Sequence, residues 1–444
     1  MLDLLGDVLK RAKERGATAA DAFVVEDRAF SAQVRLGRVD TVKHAREQHL
    51  SLRVFSGKSA AAASTSDFSR VSVERLVDEA VSLSRITAPD ELSGLPDASE
   101  LAKVVPALDL EDPTGHDLSP EDKIELARRC EAAALAADPR ITNSEGGDFA
   151  DRRAHYAYAA SHGFAAEYST SSFSLSVSPV ASENGHMQRD GWYHVTRKRA
   201  LLDAPEAIGK IAAQRALRRL GARQVKTCEV PVIFDPDMAA SLVRHIAGAV
   251  SGPSLYRSAS FLLGKLGQQI AAPGVTIVDD GSMPGGLGSR PFDGEGLSVR
   301  RTVVVDKGVL TSYLLDTYSG RKLGMASTHH GARDGAGVTV GTTNLYLDRG
   351  ASDPKDLIGS VKQGLYVTEL IGFGVNGVTG DYSRGAVGLW IDNGELTYPV
   401  EEITIAGNLL EMFRAIEGVG NDLVFRDRTA APTILIAKMV VAGA

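Results

Sequence analysis

Glycine is distributed very unevenly along this chain of 444 residues, and that distribution constrains the fold more than any other single feature. Thirteen of the 45 glycines lie in residues 1–226, and the other 32 lie in residues 227–444. Because glycine permits tight turns and close approaches of the backbone, the C-terminal half is predicted to differ in structure from the N-terminal half. A chain of this length is expected to form two or three domains.

The pattern over residues 1–117 predicts an N-terminal α+β domain that ends in a linker. Residues 1–15 form an amphipathic helical pattern, and a second helical run begins at Ser72 and stops near Pro89. Strand-like runs lie between them at 22–26, 31–37, 49–55 and 59–65. Helices at both ends of a set of strands favour a layer of helices on one face of a mostly antiparallel sheet. The polar stretch 90–117 is the candidate linker.

Residues 118–225 are predicted to form a central α+β domain. Ser119 and Pro120 are typical of a helix start, and this helix should end near Asp138. A second helix is predicted over 203–221. The strand-like runs of this segment are 152–161, 172–180 and 191–199.

Residues 226–444 are predicted to form a glycine-rich, β-dominated and partly barrel-like C-terminal domain. A buried strand over 229–235 precedes a short helix over 238–250. The turn sequences at 306–308 and 392–394 predict two hairpins. Asn408 is typical of a late helix start, and the last strand is expected over 433–441. The fold class as a whole is α+β.

Composition excludes several functions. The net charge of −7 gives no reason to expect nucleic-acid binding, and no apolar run reaches the roughly 18 residues that span a membrane. The mixed charges of the N-terminal helix suit a folded cytoplasmic protein. Cys130 and Cys228 are the only cysteines, which excludes a disulfide framework and favours buried thiols.

Two short motifs resemble known functional sequences but lack the neighbouring sequence that those functions require. Residues 372–377 match the glycine pattern of dinucleotide-binding folds, but the sequence that follows is not typical of the helix that this site requires, so the match is interpreted as accidental. Ser383 lies in a glycine-rich segment, and no histidine follows His330 in the sequence to serve as its base. A polar turn is favoured over a nucleophile, although a self-sufficient hydrolase built around Ser383 or an unforeseen histidine cluster stays open.

The sequence around the helix 238–250 argues against a metal site in this chain. From residue 238 to 278 there is no aspartate, glutamate or cysteine, and His245 is the only histidine. Ala249 and Val250, one turn later, cannot bind a metal. Arg244, Arg257 and Lys265 make this segment cationic, which opposes the binding of a divalent ion.

Three long segments resemble the PmbA/TldE branch of the TldD/TldE metallopeptidase family. They are residues 244–270, 291–324 and 374–413, and they occur in the family's order. The resemblance implies a cytoplasmic peptidase system that acts on short or unfolded peptides. In that system a TldD subunit carries the metal site, with ligands on a helix and a distant cysteine, and a TldE subunit is its partner.

The resemblance also implies what this chain lacks. It places Val243, Arg244 and Gly248 where the helical ligands would stand, and no cysteine follows Cys228. The chain is therefore expected to hold no metal or other cofactor, with zinc in a TldD-like partner. The expected assembly is a heterodimer with that partner, or a homodimer. A peptide-binding protein without any proteolytic role is a further alternative.

The resemblance suggests polar residues near a peptide path. Asp381, Ser383, Arg384 and Asn408 are the candidates, and Arg384 suits a peptide carboxylate because a guanidinium donates two parallel hydrogen bonds. The alternative is that these residues stabilise turns and the start of the late helix. Asp293 and Glu295 are candidates to face a peptide amine, and solvated loop acids are the alternative for them.

Overall fold

The structure is a computed structural model that describes residues 1–115 and 117–443. The helices of the N-terminal unit are α1 (Leu2–Glu14), α2 (Arg70–Ile86), α3 (Pro120–Leu135) and α4 (Pro205–Leu217), with short 3₁₀ turns at Ala98–Glu100 and Arg199–Leu201. Its strands are β1 (Ala19–Arg35), β2 (Arg38–Ser56), β3 (Ser59–Thr65), β4 (Ile141–Ala160), β5 (Ala165–Glu183), β6 (His186–Arg189) and β7 (Trp192–Thr196).

Within the described residues, these strands form one antiparallel sheet of seven in the order β3-β2-β1-β4-β5-β6, and β7 also pairs with β5. Alternate side chains of β1 point to the same face, where Ala22 and Val24 pack with α1 and α2, and Ala32 and Val34 pack with α3 and α4. The predicted layer of helices on one face of an antiparallel sheet is confirmed.

The sheet continues across the boundary predicted between residues 117 and 118. Strand β1 pairs with β4 from Asp21 opposite Ala160 to Val34 opposite Gly147. The first two predicted domains therefore share one sheet in the structure. The three-part division of the chain stays a prediction.

Strand β4 begins eleven residues before the predicted run at 152, and glycine is the reason that the sequence pattern hides this start. A Cβ atom at Gly147 would lie 2.5 Å from the carbonyl oxygen of Ala127 in α3. The glycine is therefore required by close packing of the helix on the strand. The predicted start was wrong because a glycine pair in a sequence otherwise indicates a turn.

The C-terminal unit contains short helices and many strands. The helices are α5 (Pro236–Ala249), α6 (Gly252–Tyr256), α7 (Thr317–Leu323), α8 (Pro354–Gly359) and α9 (Leu409–Arg414). The strands are β8 (Cys228–Phe234), β9 (Ile277–Asp280), β10 (Arg301–Asp306), β11 (Val309–Leu310), β12 (Gly331–Asp334), β13 (Gly337–Val340), β14 (Leu345–Leu347), β15 (Gln363–Ile371), β16 (Asp381–Asp392), β17 (Glu395–Asn408), β18 (Ile416–Val419), β19 (Thr429–Ala430) and β20 (Ile434–Ala442).

Part of this unit is a closed barrel, as predicted. In the described part of the chain, β17, β16, β15, β8 and β20 pair in sequence, and an additional pairing of β17 with β20 closes the ring. A second sheet has the order β11-β10-β9-β14-β19. Helix α5 packs against strands of both sheets through Leu242, Val243 and Ile246, so it is held between them.

Local predictions for the C-terminal unit are largely confirmed. Both predicted hairpins form, and Asn393 and Gly394 have positive φ angles of 50° and 81°, as the turn between β16 and β17 requires. Residues 372–377 lead through a loop into strand β16 rather than into a helix, so the dinucleotide motif is accidental. None of the helices in the described ranges has the length and apolar character that crossing a membrane would need.

Candidate functional site

Helix α5 is held in place by the residue that caps its start and by its apolar face. The Asp235 side chain precedes the helix and accepts a hydrogen bond of 2.9 Å from the Met238 backbone N–H. Burial raises the pKa of this carboxyl to about 7. One face of the helix is buried in the core, which leaves Arg244 and Gly248 exposed on the opposite face. The fold thus presents one defined face of α5 to a cleft.

A cavity of about 350 Å³ lies over the second half of α5. We call it the α5 cavity. Its polar side chains include those of Arg244, His245 and Arg384. Its apolar walls include Phe261, Phe373, Val375 and Leu409, which lie on three separate segments of the chain. None of the described residues that line this cavity is acidic.

The cationic groups of the α5 cavity are incompletely satisfied. Arg384 donates from Nη2 to the Leu370 carbonyl oxygen at 3.3 Å, and its buried Nε has no partner among the described residues. The buried Nε2 of His245 likewise has no hydrogen-bond partner among the described residues. The centroid of its ring lies 6.2 Å from that of Tyr382, in an edge-on arrangement. Burial, with the positive charges of Arg384 and Arg244, lowers the pKa of His245. At neutral pH the cavity therefore holds two guanidinium groups and a neutral imidazole.

The structure brings together only some of the residues predicted from the sequence. Arg384, Arg244 and Gly248 line the α5 cavity. Val243 is 1% exposed and belongs to the apolar core, so its side chain does not reach the cavity. Ser383 is exposed, and strand alternation places it on the opposite face of β16 from Arg384.

Asp381 and Asn408 lie opposite each other on β16 and β17, outside the cavity lining. Asn408 Nδ2 donates to Asp381 Oδ1 at 3.3 Å, and Asn408 Oδ1 accepts from the Leu410 backbone N–H at 3.1 Å. Asp381 also accepts a hydrogen bond of 2.6 Å from the Thr379 hydroxyl. These contacts stabilise a turn and the start of α9, which is the alternative interpretation of both residues.

Asp293 and Glu295 require a correction, because each is only 1% exposed and neither lines the cavity. Asp293 accepts from the backbone N–H groups of Glu295 and Leu297 at 2.8 and 2.9 Å, and Glu295 accepts from that of Thr317 at 2.8 Å. Burial raises the pKa of both carboxyls, and for Glu295 the charge of Asp293 adds to this effect. They are neither solvated loop acids nor groups open to a peptide amine.

These two acids belong to a buried charge network between the units. We call Asp21, Arg53, Asp293, Glu295 and Arg333 the joint. Asp21 is fully buried, and its two oxygens meet Arg53 Nη2 at 2.5 Å and Arg333 Nη1 at 3.0 Å. Burial opposes its ionisation, but Arg333 and Arg53 hold the pKa of Asp21 below its ordinary value. Sequence reasoning missed Asp21, Arg53 and Arg333, because no local pattern relates residues so distant in the chain.

Other side chains of the types that bind metals are also separated. His330 is buried and its Nε2 lies 3.2 Å from Asp279 Oδ2, whereas His329 Nδ1 lies near the carbonyl of Ser298 at 2.7 Å. Cys130 is buried in the N-terminal unit and Cys228 is half-buried in β8. Within residues 1–115 and 117–443, no three His, Cys, Asp or Glu side chains are grouped so that they could hold a metal ion.

The fold and the site define a mixed α/β protein in which a helix-covered antiparallel sheet joins a barrel-containing unit with a cationic cavity. Models of the PmbA/TldA metallopeptidase family match residues 20–84 as domain 1, 113–220 as the central domain and 227–443 as the C-terminal domain. The chain therefore belongs to the PmbA/TldD metallopeptidase family. The resemblance inferred from the sequence is confirmed.

Individual relatives agree with this assignment over nearly the whole chain. The Metalloprotease PmbA of Escherichia coli is 40% identical over 96% of this chain and 92% of its own length. A crystal structure from Bacteroides thetaiotaomicron, described as a candidate modulator of DNA gyrase, is 29% identical with a TM-score of 0.92 and covers 100% of this chain and 98% of that one. TldE from Thermococcus kodakarensis shares the fold, with a TM-score of 0.89, 22% identity and coverage of 99% of this chain and 100% of that one.

Proposed function

We propose that this chain is the subunit of a cytoplasmic two-component metallopeptidase that holds no catalytic metal itself. In this proposal it contributes a partner surface and part of a peptide path, and a TldD-like subunit supplies the zinc. The substrates are short or unfolded peptides. The observation that carries the proposal is the cavity-facing side of α5, where Arg244, His245 and Gly248 stand without a carboxylate or thiol.

The chemistry of these side chains does not fit a zinc ion. A catalytic zinc site takes three protein ligands from histidine, carboxylate or cysteine, and a guanidinium has no lone pair to give. His245 is the only histidine among the described residues that line this cavity. Arg244 and Arg384 line the same cavity and would repel a divalent cation. No step of peptide hydrolysis is therefore assigned to a metal on this chain.

The loop beside the cavity offers the exposed backbone of Gly372 to an extended peptide, whereas the Gly377 carbonyl already accepts from the Phe261 N–H at 3.1 Å. Gly372 and Gly377 both line the cavity, and Phe373 between them is 100% exposed. An extended peptide binds well to bare backbone, because main-chain hydrogen bonds do not depend on its sequence. This suits a subunit that handles unfolded chains of varied sequence.

The test is to purify this chain and a TldD-type chain separately and to measure metal content, complex formation and peptide hydrolysis. We expect zinc only on the TldD-type chain, and turnover that rises when the two chains form a complex. A chelator should leave the melting temperature of this chain unchanged.

Three results would contradict the proposal. One is that this chain binds zinc stoichiometrically and hydrolyses peptides without a partner. The variant Ser383→Ala would then show whether that hydrolysis depends on the serine. The second is a TldD-type chain that is fully active alone and forms no complex. The third is peptide capture by this chain with no effect on proteolysis, which would make it a binding protein only.

A further inference from the structure

We infer that the α5 cavity binds the free C-terminal carboxylate of a peptide whose last residue is apolar. This inference rests on the proposed function, because it assigns a substrate feature to the same peptide path. It goes beyond that function by naming which end of the peptide this chain recognises. The geometry that points to it is the placement of two arginines and an imidazole next to an apolar wall.

The first step is the uncompensated positive charge. In the described structure neither Arg244 nor Arg384 forms an ion pair with an acidic side chain, and none of the described residues that line the α5 cavity is acidic; Asp427 lies with Arg244 in two adjoining cavities. Arg384 donates to a neutral carbonyl at 3.3 Å and lies beside the hydroxyl of Tyr382, and neither of these groups carries a charge that offsets its own. A guanidinium that is partly removed from water without a counter-charge is costly, and a carboxylate would relieve this cost with paired hydrogen bonds.

The second step is the partner for a second carboxylate oxygen. The Nε2 atom of His245 is buried without a hydrogen bond among the described residues, while its ring packs edge-on against Tyr382. An imidazole with hydrogen on Nε2 donates one hydrogen bond without adding charge. A bound carboxylate would then accept hydrogen bonds from Arg384 and from His245, each of which has a nitrogen without a partner among the described residues.

The third step is the apolar wall. Phe261, Val375 and Leu409 line the cavity, and the fully exposed ring of Phe373 lies at its edge. An exposed aromatic ring beside a cavity gains stability when an apolar group covers it. The volume of about 350 Å³ is at the lower end of the range for small-molecule sites, which suits one or two residues of a peptide.

These features distinguish the ligand from other anions and from cations. Inorganic phosphate has no apolar part to cover the phenylalanine rings, and a divalent cation would meet only positive and neutral groups. A short fatty acid shares the carboxylate and the apolar part but lacks the peptide backbone. The experiment therefore compares a peptide acid with its amide and with octanoate.

The experiment uses the isolated full-length chain and a fluorescent tetrapeptide that ends in leucine, measured by anisotropy. We expect the free acid to bind at least about tenfold more tightly than the C-terminal amide, because the amide cannot form the hydrogen-bonded ion pair. A peptide ending in aspartate should also bind more weakly than the leucine peptide. Arg384→Gln should remove the preference for the acid over the amide.

The matched control is Arg349→Gln, which removes an exposed arginine outside the cavity lining and should keep the preference. If Arg384→Gln unfolds, Arg244→Gln at the exposed cavity rim replaces it and should weaken binding of the acid.

Equal affinity for acid and amide, or no binding at millimolar peptide, would overturn the inference. Octanoate that binds as tightly as the peptide acid would overturn the assignment to a peptide. Because the binding assay contains no partner chain, these outcomes are independent of whether a two-component peptidase forms.

Discussion

The joint and the α5 cavity each contain two arginine side chains, and they differ in what neutralises the positive charge. In the joint, Arg53 and Arg333 share the fully buried carboxylate of Asp21, and Glu295 lies 3.8 Å from Arg53. In the α5 cavity, Arg244 and Arg384 have no acidic neighbour among the described lining residues. The same side-chain type therefore stands in two different electrostatic environments in one chain.

This contrast distinguishes charges that stabilise the fold from charges that are open to a ligand. A buried charge that is fully paired holds two parts of the molecule in register, since removing one partner leaves the other buried and uncompensated. A charge without a partner at an open cavity does nothing for folding and is available to a ligand. Substitutions in the joint should thus change stability, and substitutions in the cavity should change binding.

The largest effect is expected for Asp21→Asn, which keeps the size of the side chain and removes the charge shared by Arg53 and Arg333. We expect the free energy of unfolding to fall by about 3 to 5 kcal/mol, because two buried guanidinium groups lose their carboxylate. Urea unfolding measures this change. Arg244→Gln in the cavity is the matched comparison and should change stability by less than about 0.5 kcal/mol. Equal effects of the two substitutions would remove the distinction between joint and cavity.

The next effect concerns pH and Glu295. Its pKa in the folded protein is raised to about 7 from 4.5, first by burial and then by Asp293. The folded state therefore holds this proton more strongly than the unfolded state, and stability is lost as pH rises from about 4.5 to about 7.

Glu295→Gln should remove that loss, on the order of 2 kcal/mol between pH 5 and pH 8. The measurement is the free energy of unfolding of both proteins at the two pH values. Glu417→Gln, at an exposed position of β18, is the control and should follow the unmodified chain. Parallel pH dependence of Glu295→Gln and the unmodified chain would show that this carboxyl is ionised in the folded state.

A smaller effect is expected for His245→Phe, which keeps a ring against Tyr382 and removes the N–H donor. Affinity for the leucine peptide acid should fall by about fivefold at pH 7.5, the effect of one neutral hydrogen bond. Anisotropy titrations at pH 7.5 check this value, and titrations at pH 7 and 8.5 check that it depends little on pH. A loss as large as that of Arg384→Gln, with a steep dependence on pH, would show that the imidazole is charged.

The smallest effect is expected for Phe373→Ala. Because the ring is 100% exposed in the free chain, stability should not change, and affinity for the leucine peptide should fall about two- to threefold through lost apolar contact. Val71→Ala, at an exposed position of α2, is the control for removing a surface apolar group. An unchanged affinity would exclude Phe373 from the peptide path.

Much of the fold could be predicted from local sequence patterns. Ser119 and Asp122 form a reciprocal capping box at the start of α3, because their side chains reach backbone groups only three residues away. The turn at 392–394 is similarly local. The separate runs at 22–26 and 31–37 are one strand, because Asp27 and Arg28 interrupt the apolar pattern but not the pairing, and Asp27 is matched by Arg152 at 2.5 Å.

The candidate site was predictable only in part. Arg384 was identified as a possible carboxylate ligand, and the cationic character of the segment around α5 is visible in the sequence. That Arg384 and Arg244 line the same cavity depends on the barrel placing β16 beside α5, which no spacing encodes. The burial of Asp293 and Glu295 was missed for the same reason, since their loop looks polar and its burial comes from distant segments.

The sequence is enough to identify the family, to predict the helices and hairpins that have local signals, and to show how few metal-binding side chains lie around α5. Which charges are neutralised depends on how the chain packs, because Asp21 and Arg333 are separated by 312 residues. Electrostatic pairing depends on distance in space and on the exclusion of water, and both are set by packing. For that reason the arginines of the joint are paired with buried acids, and those of the α5 cavity are not.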